Sequence, residues 1–148
     1  MESNHSAELD AVYDEKVIGL LDKVVKKTAL TVDRELVLET PVGNPSLWQS
    51  APPAGYVGGR ARSNWLASIN SPRTDAGAQT TRKGSDTVRS KMGSFKIATD
   101  TIFITNNVPY IERLNNGWST QAPIGFIAAI VARNRRKAAQ VKGIVTNA

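Results

Sequence analysis

From Ala7 to about Glu39 the apolar positions recur every three or four residues. Val17, Leu21, Val24, Thr28, Val32 and Leu36 share one face, and Leu20 and Val25 widen it. This period predicts an amphipathic α-helix. Lys16, Lys23, Lys26 and Lys27 fall mostly off the stripe. Gly19 weakens the helix by about 1 kcal/mol relative to alanine. A break at Thr28 to Thr31, where β-branched residues enter, is the competing reading. Thr40 precedes Pro41, which disfavours helical backbone at Thr40 and ends the element there. Such a helix is long for a chain of 148 residues. Its stripe exceeds what one domain covers and points to packing against another subunit. Residues 1–6 are expected to be disordered, with 7–148 forming a single domain.

The pattern then changes. Residues 41–59, "PVGNPSLWQSAPPAGYVGG", hold four of the seven prolines and four glycines. They read as a long loop, and Trp48 and Tyr56 make it a docking loop rather than a flexible linker. In "GRARSNWLASINS", Ala61, Ser63, Trp65, Ala67 and Ile69 alternate with Arg60, Arg62, Asn64, Leu66 and Ser68. Period two predicts a strand with Trp65 inward. Residues 71–84 are polar and turn-rich and predict a mobile loop. Ser85 is placed to cap a short helix carrying Val88, Met92 and Phe95, which Gly93 weakens. "TIFITNN", 101–107, reads as a strand that is apolar on both faces, as a central, covered strand is. After Pro123, Phe126, Ile127, Ile130, Val131, Ala138 and Val141 form the stripe of a last helix, with Gly143 as its stop. The fold class expected is α+β: a long N-terminal helix, an antiparallel or mixed sheet, and a C-terminal helix packed on that sheet. Two strands are few for a sheet, so 41–58 or 70–100 should supply more, or the short helix is itself a strand.

Charge adds an asymmetry. The net charge is +6, but residues 1–40 hold nine acids and five bases, whereas 113–148 hold six bases and no acid. The plain reading is two solvated helix ends. The sharper ones are opposite ends meeting in neighbouring copies, or a basic surface turned toward nucleic acid. The longest run free of charged or hydrogen-bonding side chains, Ala122–Ala132, is too short to span a bilayer. The N-terminus has no signal-peptide core. A soluble, non-secreted chain without membrane partners is expected.

Candidate chemistry is sparse. There is no cysteine, and the single histidine is His5. Thiolate zinc sites, two-histidine metal sites and triads built on histidine find no support. "GYVGGR" lacks the Lys-Ser/Thr of a phosphate loop. Outside the first helix the acids are only Asp75, Asp86, Asp100 and Glu112, widely spaced. No catalytic, metal or cofactor residues are assigned, and an enzyme is not expected. The basic run from Arg133 to Lys142, with Arg60, Arg62, Arg82, Lys83, Arg89 and Lys91, makes a small nucleic-acid-binding protein acting in DNA packaging or regulation the alternative. No aromatic is interleaved with the run, and no helix-turn-helix, zinc-finger or RNA-recognition pattern is present.

The most specific stretch is "NNVPYIERLNNGWSTQAPIG", Asn106 to Gly125. Val108-Pro109 extends the chain after the strand. "NNG" favours a tight left-handed turn. Trp118 beside that turn belongs either in the core or in an interface. Together with Thr40-Pro41-Val42, "GGRARSNW" at 58–65 and the terminal helix, this stretch resembles the bacteriophage head–tail connector family. Its members are neck or tail-completion proteins, also labelled minor tail proteins. The likeness spans about residues 40–130. It departs from the simpler members in the inserted "GNPSLWQSAPPAGYV", similar to a subset with a longer loop. A Glu common in the family near Leu114 or Asn115 has no counterpart there, since Glu112 lies off that place, and no role is carried over to it.

The resemblance implies a structural virion protein. Copies would form a homo-oligomeric ring in the neck, between the portal or adaptor and the tail proteins. Double-stranded DNA would pass through without sequence-specific binding. The protein would sit in the virion and, during assembly, in the host cytoplasm. Connector, stopper and tail terminator all fit. On that view Asn106, Asn107, Pro109, Tyr110, Leu114, Gly117, Trp118, Ser119, Gln121 and Pro123 form an assembly contact. The Asn, Ser and Gln side chains would set register between copies, and Tyr110 and Trp118 would supply buried area. Trp48 and Tyr56 belong to the docking loop. Arg133, Arg135 and Arg136 are candidates to face the lumen and its DNA.

Overall fold

The computed structural model describes residues 2–77 and 87–146, with side chains described over 7–77 and 87–141. Helix α1 runs from Glu2 to Glu39 without interruption. It starts ahead of the expected Ala7, and the alternative break at Thr28–Thr31 does not occur. There the Thr31 hydroxyl donates to the Lys27 carbonyl at 2.8 Å, inside the helix. The helix stops at Thr40-Pro41, as the restriction before proline requires.

The end of α1 is held by groups from elsewhere in the chain. Its last turn contains no basic residue. Arg62 supplies the missing cation, donating from Nη2 to the Leu38 and Thr40 carbonyls at 3.2 and 2.9 Å. A guanidinium there both satisfies orphan carbonyls and meets the negative end of the helix dipole. Thr40 is fully buried. Its hydroxyl donates to the Leu36 carbonyl and accepts from the Trp65 indole Nε1 at 2.8 Å.

Arg62 can reach because residues 60–63 are not extended. Arg60–Ser63 form a helical turn, α2, and strand β1 covers only Leu66–Ile69. This corrects the strand expected from period two. The alternating residues are small, and the polar ones bond locally. Ser63 Oγ and Asn64 Nδ2 both donate to the Arg60 carbonyl, at 3.1 and 2.7 Å. Such bonds favour a turn over a ladder. Trp65 is inward, as expected, and 4% exposed.

β1 pairs antiparallel with β2, Ile102–Thr105, in the register Leu66↔Thr105, Ala67↔Ile104. Among the described residues these two strands are the whole sheet. Neither 41–58 nor the described part of 70–100 adds a strand, and β2 is not central; its residues are all half-buried. The face that carries Ile102 and Ile104 packs against helical residues instead. Ile104 touches both apolar clusters. One gathers Leu36, Val37, Trp65, Phe126 and Ile130. The other gathers Ala29, Ala67 and Val88, the last from helix α3, Thr87–Met92. Phe95 is buried just beyond that helix, after Gly93. Ser85 and residues 78–84 lie outside the described residues.

After a short helix α4, Ile111–Asn115, the chain enters α5, Phe126–Thr146. α5 runs through Gly143, so that glycine is not the stop. One glycine costs only about 1 kcal/mol in a helix interior, too little to end it alone. Phe126 and Ile130 are fully buried, while Val131, placed on the same stripe by period, is 51% exposed. α5 packs on the C-terminal half of α1 and, through Phe126 and Ile130, on the cluster that includes β2. The architecture is α+β. No helix among the described residues is long and apolar enough to cross a membrane. The N-terminal part of α1 lies off this body, and every residue from 7 to 16 is exposed.

Thr40→Val is expected to destabilise the protein by about 1–3 kcal/mol, because it keeps the shape and removes the hydroxyl to which the buried Trp65 indole donates. Thr40→Ser should keep most of the stability. Urea unfolding followed by Trp fluorescence checks both, and equal midpoints for Thr40→Val and the parent would refute the role given to this hydroxyl.

Candidate functional site: an aromatic cleft between two loops

The two loops singled out by sequence meet. Residues 41–59 and 106–125 border one cleft of about 570 Å³. Trp48, Tyr56, Tyr110, Leu114, Trp118, Ser119 and Gln121 all line it. Asn106, Asn107, Pro109, Gly117 and Pro123 do not, and stand behind it or beside it.

The first wall folds back on itself. A 3-10 turn at Pro45–Leu47 is capped by the Asn44 side chain, which accepts from Ser46 N at 3.1 Å. Trp48 and Tyr56 then pack with ring centres 4.8 Å apart and tilted by 59°. Gly43 permits this. A β-carbon there would sit 2.1 Å from the Tyr56 hydroxyl.

The second wall is braced by its polar groups. Asn106 Nδ2 donates to the Ala61 carbonyl at 2.8 Å, and Asn107 Nδ2 to the Arg73 carbonyl at 2.8 Å. Asn115 accepts from Ile127 N on its side chain and from Gly125 N on its carbonyl, at 3.1 and 2.7 Å. It thereby caps the start of α5 from a distance. Ser119 Oγ accepts from Gln121 N, and Gln121 Nε2 donates to the Val42 carbonyl at 3.0 Å, tying one loop to the other. These amides and this hydroxyl were expected to set register between copies. Each also bonds within its own chain. Gly117 takes the left-handed conformation expected of "NNG", with φ 87°.

Among what the bracing leaves outside are two large apolar side chains. Trp118 is 75% exposed and Ile124 79%. Trp118 is therefore not a core residue. Its ring carries the Arg113 guanidinium at 5.1 Å, a cation–π contact. Leu114 is half-buried against the main cluster. Tyr110 is half-buried, and burial raises its phenol pKa against the opposing charge of Arg60. Among the described residues Arg60 is the one charged side chain in the cleft lining. Sequence reading missed Arg60, Leu47 and Gly43 as part of the site, because nothing local marks their convergence.

Comparison of the chain with protein-family models, with curated proteins and with solved structures found no match. The chemistry of the cleft thus has to be read from its own groups. It offers aromatic area, one cation and a few amides and hydroxyls. Among the described residues there is no group of three or more His, Cys, Asp or Glu placed to hold a metal.

The basic run of α5 is divided. Arg133 donates from Nη2 to Glu35 at 2.8 Å and also pairs with Glu39. Lys137 reaches Glu35 at 3.3 Å, and the buried Asn134 donates to it at 2.6 Å. Arg133 therefore clasps α5 to α1. Arg135 and Arg136 are exposed. Lys142 lies outside the residues with described side chains, and Arg82 and Lys83 outside the described residues. For Glu35, burial raises the carboxyl pKa. Hydrogen bonds from Arg133, Asn134 and Lys137 and the Arg133 charge together outweigh that, holding it below the ordinary 4.5.

A carboxyl depressed in the folded state stabilises the protein above its unfolded pKa and loses that contribution as pH falls through its folded value. Glu35→Gln should therefore be less stable than the parent at neutral pH, and the gap should narrow as pH falls below 4.5. Denaturant midpoints for both proteins across that range check this. A gap that stays constant or widens on acidification would contradict the clasp.

Proposed function

We propose that the protein is a ring-forming structural component of a phage neck, joining the portal or adaptor to the tail and letting the genome pass. The observation that carries this reading is the exposed Trp118, 75% accessible and set on a loop anchored by its own side-chain bonds. A rigid, outward aromatic contributes large contact area with little ordering cost, which is the character of an interface anchor. Leu47 at 68% and Ile124 at 79% extend the apolar surface around it. Pro41, Gly59, Arg60, Ala61, Tyr110 and Trp118, which belong to the stretches that carry the resemblance to head–tail connector proteins, line the same cleft. Within the α5 run from Arg133 to Lys137, only Arg135 and Arg136 are left without an acidic partner among the described residues. So sparse a positive surface suits DNA sliding past better than a grip on it.

Trp118→Ala is expected to leave folding stability within roughly 1 kcal/mol of the parent and to weaken assembly by at least about 2 kcal/mol. The measurements are thermal unfolding of the purified chain and electron microscopy of particles made with the variant. Tailless heads in place of complete particles are the expected result. Complete particles at the parental yield would remove the assembly reading.

A further inference from the structure

The part of α1 that lies off the body carries a second apolar stripe. Leu9, Val12, Tyr13 and Leu20 share one helix face and are 58, 49, 65 and 43% exposed. Lys16 sits within the stripe, and four exposed acids, Glu8, Asp10, Asp14 and Glu15, flank it. An apolar ridge with acidic flanks fits an apolar groove carrying cations, and two such ridges repel each other.

The cleft has the complementary character. Its walls are aromatic, Arg60 is its one charged lining residue among the described residues, and Arg113 lies on the Trp118 ring at its edge. Its 570 Å³ falls within the roughly 300–1,000 Å³ of sites that bury a drug-sized group. The cleft and the ridge of one chain cannot meet. Pro41 and Gly43, just past the end of α1, line the cleft. At 1.5 Å of rise per residue, Tyr13 lies roughly 40 Å up the helix axis from Thr40, and α1 is continuous between them.

We propose that the ridge at residues 9–20 of one copy docks in the aromatic cleft of the next. This rests on the reading of the cleft as an assembly surface and names its occupant as a second copy of the chain. The contact is head-to-tail, since ridge and cleft are different patches, and repeating it gives a ring when the rotation closes. It is a helix-in-groove contact, with Leu9, Val12 and Tyr13 as anchors.

The chain has no cysteine, so single-cysteine variants report one contact cleanly. Tyr13→Cys mixed with Leu47→Cys under mild oxidation should give a cross-linked pair. Mixing Tyr13→Cys with Lys91→Cys on α3 should give little. Adding Arg60→Glu to the Leu47→Cys chain should lower the yield about fivefold, and adding Asp10→Lys and Asp14→Lys to the Tyr13→Cys chain should recover it. All these positions are exposed, and far-ultraviolet circular dichroism confirms that each variant is folded. A 13–47 yield no higher than the 13–91 control overturns the proposal, as does failure of the charge swap to restore it. If Leu47→Cys in purified particles joins a different protein and not another copy, the occupant is wrong although the surface is an assembly surface. Absence of the chain from purified particles would remove the neck reading and leave a measured 13–47 contact standing.

Discussion

The buried hydroxyl of Thr40 is the point on which the rest of the structure depends. It lies where α1 must end, because Pro41 follows. It accepts from the Trp65 indole, and its carbonyl is held by Arg62. Three segments are thereby fixed to one another: the end of the long helix, the turn of α2 and the start of β1. Trp65 in turn lies in the cluster with Leu36, Phe126 and Ile130, so the same contact sets where α5 can pack. The chain leaves Thr40 into Pro41 and Gly43, which line the cleft. A change in this junction would move one cleft wall relative to the other.

The second constraint is polar satisfaction in the loops. Asn106, Asn107, Asn115 and Gln121 each bond to a backbone group of their own chain. This is the ordinary demand that peptide groups in a tight, partly buried connection find partners. Trp118, Ile124 and Leu47 stand exposed on the same loops, beside exposed polar residues such as Arg113, Thr120 and Gln121. A contact made by such a face gains area from apolar groups and loses little entropy on ordering, because the backbone beneath is already fixed.

How much of this was legible in the sequence depends on the range of the interaction. The long helix was legible because its stripe has a clear period and its end has a proline. Trp65 was legible as inward, and Gly117 as left-handed. The strand expected over 60–69 forms only from Leu66 on, because Ser63 and Asn64 bond to the Arg60 carbonyl, an effect that hydrophobic period does not record. The clasp of Arg133 to Glu35 joins residues 98 apart, and nothing at either end announces the other. Both loops were singled out, in part by their aromatics. Their sharing of one cleft follows from Gln121 reaching Val42, a contact that no local pattern encodes. Trp118 was left open between core and surface. It stands on the surface, 75% exposed, just past the left-handed Gly117.

The remaining feature is the asymmetry of α1. Its C-terminal half is held by α5, α3 and α2, whereas residues 7–16 touch none of the body closely enough to be covered. Isolated helices below about 12–15 residues are marginal in water. The outer segment is therefore helical by continuity with the packed half. That continuity matters for binding. A segment already helical does not have to be ordered when it docks, so burying each of Leu9, Val12 and Tyr13 can return most of its roughly 1.5–3 kcal/mol as affinity. The acids beside them keep the same surface from pairing with itself. A ridge preformed by the fold, self-repelling, and far from its own cleft is suited to a different patch on another molecule. The long helix then has a reason to exceed the domain that holds it.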